Sequence, residues 1–187
     1  MKLKNKYFIL RHGQTIFQTK KKGFIYPWPE KNPICLTEKG EEQIKLAAQK
    51  IKKEKIEAIY SSDIPRTRQT AKIAEKELGL KINFDKRLRD INLGIYRGKT
   101  KEEFYRDFPR KRFYQRIKGG ESWNDVKKRL MIFVKEIDKK YRNKNILIIS
   151  HGDPLWIFEG VVKNWSIDKL LKIRETNYIK TGEFKKL

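Results

Sequence analysis

The stretch YFILRHG, residues 7–13, decides the fold, and ILIISHG, residues 146–152, repeats its pattern. Each consists of an apolar run that ends at a histidine and a glycine, and the two stretches hold both histidines of the chain. Short runs of β-prone apolar residues predict buried strands. The polar residues after them then lie at the carboxyl ends of the strands, the edge where open α/β sheets bind ligands. His12 and His151 are therefore predicted to meet in an active site.

Arginines near these histidines indicate what the site holds. Arg11 directly precedes His12, and a third apolar run, IEAIY at 56–60, leads to Arg66 at the start of the next predicted helix. A guanidinium group is planar, always charged and able to donate two parallel hydrogen bonds to a phosphate. A helix N-terminus also favours anions. Two arginines, two imidazoles and this helix start predict a pocket for a phosphoryl group.

Six segments in order resemble the signature of the histidine phosphatase superfamily, the phosphoglycerate mutase-like proteins. They are RHGQT at 11–15, LTEKG at 36–40, SDIPR at 62–66 with TA at 70–71, RLRD at 87–90 with Gly94 and Gly98, GGES at 119–122, and SHG at 150–152. The similarity runs from about residue 7 to about residue 155. The first triplet alone would be weak, whereas six ordered segments that include both histidines are a strong signal.

The resemblance implies a fold and a mechanism. The fold is a three-layer α/β/α sandwich with a mainly parallel central sheet, which the alternation of predicted strands and helices also favours. The mechanism is metal-independent hydrolysis of a phosphomonoester through a phosphohistidine, with no cofactor. The residues implied to be catalytic are His12, Asp90 and His151. Those implied to bind phosphate are Arg11, Arg66, Gly13 and Gly152.

The proton donor for the leaving group has two candidates in this sequence. A general acid must supply that proton. The small phosphatases of the family usually carry Glu where this chain has Asp90, which is one methylene shorter, although other members use Asp. Glu121 is the alternative acid. Further substrate contacts are expected from Gln14, Thr15, Gln18, Glu121 and Ser122.

Two alternative functions stay open at this point. One is phosphoryl transfer of the phosphoglycerate mutase type, and the other is a catalytically weak module that binds anionic partners. Gln18 stands where mutases often have Asn, Arg97 stands where relatives often have Glu, and a chain of this length is expected to lack the longer insertion that mutases carry. Loss of activity in the family normally shows as loss of a phosphate-pocket residue, and here Arg11, His12, Arg66 and His151 are all present. A phosphatase acting on a small phosphorylated metabolite is therefore favoured.

Composition sets further expectations. The 187 residues predict one domain, with a helical, lid-like insertion around 99–120. The formal charge of +23 is spread along the chain without a nucleic-acid motif, so nucleic acid is an unlikely partner and lysine-rich helix surfaces are the simplest explanation. The lone Cys35, a first apolar run too short for a signal peptide and the lack of a membrane-length apolar stretch favour a cytoplasmic protein without a membrane partner. Oligomeric state stays open.

Secondary structure can be predicted along most of the chain. Thr37 and Ser122 should begin amphipathic helices, the second of which extends to about Tyr141. A helix capped by Ser62 or Asp63 should end near Gly79. The remaining predicted elements are a strand at 82–85, helices at 100–108 and after Pro109, a helix at 154–162 and a last strand at 176–180.

Overall fold

Five strands form the central sheet of the computed structural model, which describes residues 2–108 and 113–187. The strands are β1 (Lys6–Arg11), β2 (Ala58–Ser61), β3 (Ile82–Phe84), β4 (Asn145–Ser150) and β5 (Phe184–Lys186). Their order is β3-β2-β4-β1-β5, and only β5 runs antiparallel to its neighbour. The prediction of a mainly parallel sheet is confirmed.

Helices cover both faces of this sheet. They are α1 (Glu38–Lys52), α2 (Pro65–Leu78), α3 (Lys101–Asp107), α4 (Trp123–Lys140), α5 (Gly152–Val162) and α6 (Ile167–Thr176). Phe8 and Leu10 of β1 pack with α1 and α2, while Tyr7 and Ile9 pack with α4 and α5. Alternate residues of one strand thus enter two separate cores, because successive side chains point to opposite faces of a sheet. The result is the predicted three-layer sandwich.

Local sequence signals fix the helix boundaries. Thr37 and Ser122 accept hydrogen bonds from the first turns of α1 and α4, as predicted. The predicted cap of α2 is wrong, because Ile64 occupies the N-cap position and makes no side-chain cap bond. Pro65 begins that helix at a position where a missing N–H costs nothing.

The predicted C-terminal strand at 176–180 is also wrong. Residues 167–176 form α6 instead, and the sheet gains β5 further along, where Phe184 pairs with Leu10 of β1. β5 has three residues, two of them lysines, so it shows no apolar periodicity that could predict it.

The predicted insertion contains α3, whose N-cap Thr100 forms a reciprocal capping box with Glu103. The helix predicted after Pro109 begins on residues 109–112, which lie outside the described residues, and residues 113–122 contain turns and irregular structure rather than helix. Within 2–108 and 113–187, the helices are all too short or too polar to span a bilayer.

Candidate active site

The two histidines meet at the edge of the sheet, as the sequence predicts. β1 and β4 are parallel neighbours in which Arg11 is aligned with Ser150, so His12 and His151 leave adjacent strands at the same level. Their ring centroids are 5.3 Å apart. Only 1% of His12 and none of His151 is exposed to solvent. Burial of two imidazoles side by side is costly unless their ring nitrogens make hydrogen bonds within the protein or to a ligand.

The imidazole of His12 is held in one orientation by main chain. Its Nδ1 lies 2.8 Å from the carbonyl oxygen of Gly13. Because a carbonyl can only accept a hydrogen bond, Nδ1 carries the proton and Nε2 keeps its lone pair. Burial, followed by the charges of Arg66 and Arg11, holds the pKa of His12 well below its usual value. The ring is therefore neutral near pH 7, the form in which it can act as a nucleophile.

The glycines after the histidines allow close packing. A side chain at Gly13 would collide with the main chain of Gly40 in α1. A side chain at Gly152 would collide with the hydroxyl of Tyr178. The N–H of Gly13 is 3.4 Å from the Thr70 hydroxyl, whereas Gly152 is the first residue of α5 and lines the cavity.

Arg66 lies at the centre of the site and is 1% exposed. Its Nη1 donates to Glu30 Oε1 at 2.7 Å, and its Nη2 donates to Asp90 Oδ2 at 3.1 Å. The guanidinium carbon also lies 3.8 Å from the centroid of the Tyr26 ring. These contacts fix a planar cation beside His12.

Three nitrogen atoms around this point are buried without a hydrogen-bond partner among the described residues. They are Nε of Arg11, Nε of Arg66 and Nδ1 of His151. Buried polar atoms are normally paired, because an unmade hydrogen bond costs about 1–3 kcal/mol. Two of the three belong to permanent cations, so an anion that reaches them would relieve this cost. The arrangement fits the oxygens of a phosphoryl group.

A cavity of about 610 Å³ opens above these groups. Arg11, His12, Arg66 and Asp90 line its inner end, together with Gly152 at the N-terminus of α5. The partial positive charge of a helix N-terminus adds to that of the two arginines. The inner end can therefore hold the three non-bridging oxygens of a phosphate while leaving Nε2 of His12 for attack on phosphorus.

Comparison with known proteins agrees with this geometry. The family model of the histidine phosphatase superfamily, branch 1, matches residues 7–179. This chain belongs to the histidine phosphatase superfamily. The match includes both histidines and both arginines of the site, and it confirms the resemblance that the six sequence segments indicate.

The curated relatives of this histidine phosphatase carry two kinds of name. Phosphoserine phosphatase 1 of Hydrogenobacter thermophilus is 31% identical over 127 residues, which cover 64% of this chain and 60% of that protein. A probable phosphoglycerate mutase GpmB of Yersinia enterocolitica is 31% identical over 152 residues, covering 78% of this chain and 68% of that protein. The chain thus matches less than two thirds of the phosphatase's own length. Together with the family match, these names support an enzyme that acts on phosphorylated compounds, either a phosphatase or a mutase.

Solved structures share the fold over almost the whole chain. YhfR of Bacillus stearothermophilus superposes with a TM-score of 0.79 at 26% identity, covering 96% of this chain and 89% of that one. A mycobacterial glucosyl-3-phosphoglycerate phosphatase gives a TM-score of 0.83 at 23% identity, covering 97% and 90%. At that identity the second likeness establishes the fold alone.

Asp90 of this histidine phosphatase lies beside Arg66 and His151. Its Oδ2 accepts from Arg66 and is 3.7 Å from Nδ1 of His151, while Oδ1 accepts from the N–H of Ile91 at 3.0 Å. Burial raises the pKa of Asp90, and Asp153 raises it further, against the opposing charges of Arg66 and Arg11. A raised pKa is what a carboxyl needs in order to donate a proton.

Glu121, the alternative acid, also lines the cavity but is engaged on both oxygens. Oε1 accepts from Nε of Arg129 at 2.8 Å, and Oε2 accepts from the N–H of Asn92 at 2.9 Å. Arg129 in turn donates to the carbonyl oxygens of Arg87 and Asp90. Glu121 therefore helps to hold the loop that carries Asp90.

The other residues proposed from sequence as substrate contacts have different positions. Gln18 lines the cavity, where its amide bonds to the Tyr26 hydroxyl. Gln14 accepts from the Thr37 hydroxyl at 3.0 Å, and Thr15 is fully buried against Tyr26. Ser122 caps α4. Of this group, the structure brings Gln18 and Glu121 to the cavity wall.

Sequence reasoning missed several residues of the site. Glu30 and Tyr26 contact Arg66 from a loop far from it in sequence. Asp153 accepts from Tyr178, Trp123 and Arg174, which closes the cavity wall next to α6. The alternating aromatics in FIYPW, residues 24–28, are the one sequence signal that could have pointed to this loop.

Proposed function

We propose that this chain is a phosphomonoester hydrolase that acts through a phosphohistidine on a small phosphorylated metabolite and needs no metal ion. The observation that carries the proposal is the Nδ1 bond of His12 to the Gly13 carbonyl, which reserves Nε2 as a lone-pair donor beside the buried Arg66 and the partly buried Arg11. An imidazole that stays neutral and pre-oriented is a competent nucleophile for phosphorus.

The first step transfers the phosphoryl group to the enzyme. Nε2 of His12 attacks phosphorus, the P–N bond forms, and the bond from phosphorus to the leaving oxygen breaks. Arg11, Arg66 and His151 hold the non-bridging oxygens, whose charge must be stabilised in the transition state. The leaving oxygen takes a proton from Asp90 and departs as an alcohol.

The second step returns the enzyme to its starting state. Water attacks the phosphorus of phospho-His12 while the Asp90 carboxylate accepts its proton. The P–N bond breaks, inorganic phosphate leaves, and His12 is neutral again. Asp90 thus serves as acid in one step and as base in the next, as microscopic reversibility of the two transfers requires.

Water is the favoured acceptor. A mutase would instead return the phosphoryl group to a second hydroxyl of the substrate. Gln18 lines the cavity at a position where mutases often have Asn, and Arg97 stands where relatives often have Glu. Incubation with a phosphoglycerate distinguishes the two activities. A hydrolase releases inorganic phosphate, whereas a mutase converts the phosphoglycerate into its isomer.

Trapping the intermediate tests the proposal. Brief incubation of the enzyme with p-nitrophenyl phosphate in EDTA, followed by an alkaline quench, should leave a phosphohistidine on the peptide that contains His12. His12→Ala should lose both the label and almost all turnover. His151→Ala should still be labelled on His12, more slowly, because it retains the nucleophile.

Two results would overturn the mechanism. One is near wild-type kcat in His12→Ala, and the other is a label that maps to His151. A chain that binds anionic ligands but gives no label and no phosphate release would instead support a binding module. Circular dichroism of each variant checks that loss of turnover does not reflect unfolding.

A further inference from the structure

Three aromatic residues form a strip along one wall of the cavity. Phe24, Tyr26 and Trp28 alternate with Ile25 and Pro27 in a loop, and all three aromatics line the cavity. Ile25 is 6% exposed and packs with Tyr96, Phe104 and Ile117 in a small core of its own. The alternation thus gives this loop a buried anchor and an aromatic wall.

The middle residue of the strip belongs to the phosphate end. The Tyr26 ring stacks on the Phe17 ring, with 4.2 Å between their centroids, and the guanidinium carbon of Arg66 lies 3.8 Å from the Tyr26 centroid. The His12 ring meets Tyr26 edge-on, with 6.3 Å between the centroids. Its hydroxyl bonds to Thr15 at 2.7 Å. Tyr26 therefore places the strip directly beside the position of the transferred phosphoryl group.

The outer two residues of the strip are accessible. Phe24 is 44% exposed and Trp28 is 38% exposed, although both are large apolar side chains at the edge of a concave site. Their main chain is nevertheless fixed. Phe24 forms a β-bridge with Thr100, and the carbonyl of Trp28 accepts from Nη1 of Arg97 at 2.9 Å. Exposed aromatic rings that extend from a fixed main chain beside a pocket are suited to stacking on a ligand.

The size and charge of the cavity are consistent with a ring-bearing ligand. A volume of about 610 Å³ lies in the range of sites for drug-sized molecules and far exceeds what a phosphoryl group needs. Lys101 and Arg89 also line it, and the Arg89 guanidinium lies 5.3 Å from the Trp28 ring. Cations beside aromatic rings can pair with polar or anionic substituents of a bound heteroaromatic group.

We infer that the leaving group of the substrate carries a planar aromatic ring, as in a nucleoside 5′-monophosphate, and that this ring stacks on Phe24 or Trp28. The inference rests on the proposed function, since the phosphate at His12 sets where the leaving group begins. The strip is a specificity determinant, and it takes no part in the chemical step.

A matched pair of substrates tests the inference. Adenosine 5′-monophosphate and ribose 5-phosphate present the same phosphate and sugar and differ in the base. The wild-type enzyme should favour the nucleotide in kcat/KM by about 5- to 100-fold, the scale of base stacking on an aromatic side chain. Phe24→Leu combined with Trp28→Leu should remove most of this preference through KM, while kcat/KM for ribose 5-phosphate stays within about twofold.

Tyr114→Leu is the matched control, because Tyr114 is 65% exposed and is not among the residues that line the cavity. It should keep the wild-type preference. Equal kcat/KM for the two substrates in the wild type would overturn the inference, as would a double variant that keeps the full preference.

A binding measurement separates this inference from the mechanism. Titration calorimetry of His12→Ala with the same two compounds reports ring-dependent binding without turnover. Tighter binding of the nucleotide, lost on changing Phe24 and Trp28, supports the strip even if no phosphohistidine forms. If both compounds bind equally well and the phosphohistidine is still trapped in the wild-type enzyme, the strip does not recognise the leaving group, while the proposed mechanism stands.

Discussion

The inner and outer ends of the cavity are built in different ways. The inner end uses the carboxyl ends of β1 and β4 and the first turns of α2 and α5, and its histidines and Arg66 are at most 1% exposed. The outer wall uses a loop and the short helix α3, and the Phe24 and Trp28 side chains of that loop are 44% and 38% exposed. Strand ends are fixed on both sides by the sheet, whereas loops are free to differ between relatives.

This difference divides the work of the enzyme. Charges and a nucleophile must be placed to within a fraction of an ångström, and packed secondary structure supplies that precision. Recognition of the leaving group tolerates looser placement, so loop residues can provide it. Changes at the inner end should therefore alter kcat, and changes at the outer wall should alter KM.

After the loss of the proposed nucleophile His12, the largest effect is expected at Asp90. Asp90→Asn removes the proton donor and should lower kcat by about 10²–10⁴ for alkyl phosphates, whose leaving groups need protonation. p-Nitrophenyl phosphate has a much better leaving group and should suffer less. Steady-state kinetics with both substrates measures the difference.

Glu121→Gln serves as the control for this prediction. It keeps the size of the side chain that holds Asn92 and Arg129, and it should show no dependence on the leaving group. Equal losses for both substrates in Asp90→Asn, or a leaving-group effect confined to Glu121→Gln, would transfer the role of acid to Glu121.

The pH profile of kcat/KM should be bell-shaped, with its acid limb set by His12 and its alkaline limb set by Asp90. Because the pKa of His12 is lowered, the nucleophile stays neutral well below pH 6.5. The pKa of Asp90 is raised, but the acid still loses its proton as pH increases. For an alkyl phosphate, kcat/KM should then fall about tenfold per pH unit above the pKa of Asp90.

The Asp90→Asn variant identifies the group responsible for this alkaline limb. The limb should vanish in the variant, whereas ionisation of the substrate would leave it in place. An unchanged pH profile in Asp90→Asn would show that Asp90 is not the group whose ionisation sets the alkaline limb.

The smallest effect is expected from the basic segment at 99–118, which holds eight basic and three acidic residues. We propose that it acts as a lid that favours substrates with a second anionic group. Lys101 of this segment lines the cavity. Arg110, Lys111 and Arg112 lie outside the described residues. Replacing these three with glutamine should raise KM several-fold for a bisphosphate and barely for p-nitrophenyl phosphate, and the difference should shrink in high salt.

Replacing Lys50, Lys52 and Lys53 at the end of α1 with glutamine is the matched control. It removes the same number of positive charges, but from exposed residues that do not line the cavity. If it changes KM for the bisphosphate by as much, net charge and not the lid would explain the preference.

The sequence predicts the inner end of the cavity far better than the outer wall. Buried parallel strands show as apolar runs, and the residues that follow them are adjacent in space whenever the strands are neighbours. His12, His151, Arg11 and Arg66 could therefore be placed from local patterns and the family resemblance.

The outer wall depends on contacts between distant parts of the chain. Glu30 reaches Arg66 across 36 residues, and Arg174 reaches Asp153 from a helix that the sequence analysis missed. Polar loop residues have many possible partners, so no local pattern selects the one that forms. β5 leaves almost no apolar signal, whereas α6 has Ser166 as its N-cap and Ile167, Leu170 and Leu171 at helical spacing, a pattern that could have predicted it.

The hydrogen bond between His12 and its neighbour's carbonyl has an evolutionary consequence. In catalytic triads a separate acidic side chain orients the histidine, and one codon change can remove it. Here the orienting atom belongs to the peptide backbone of Gly13, which every amino acid would retain. Mutational drift can therefore disturb the nucleophile's tautomer only by moving the backbone, for example through a bulkier residue at Gly13 or at Gly40 in α1. Inactivating mutations are accordingly expected at a helix residue that never touches phosphate.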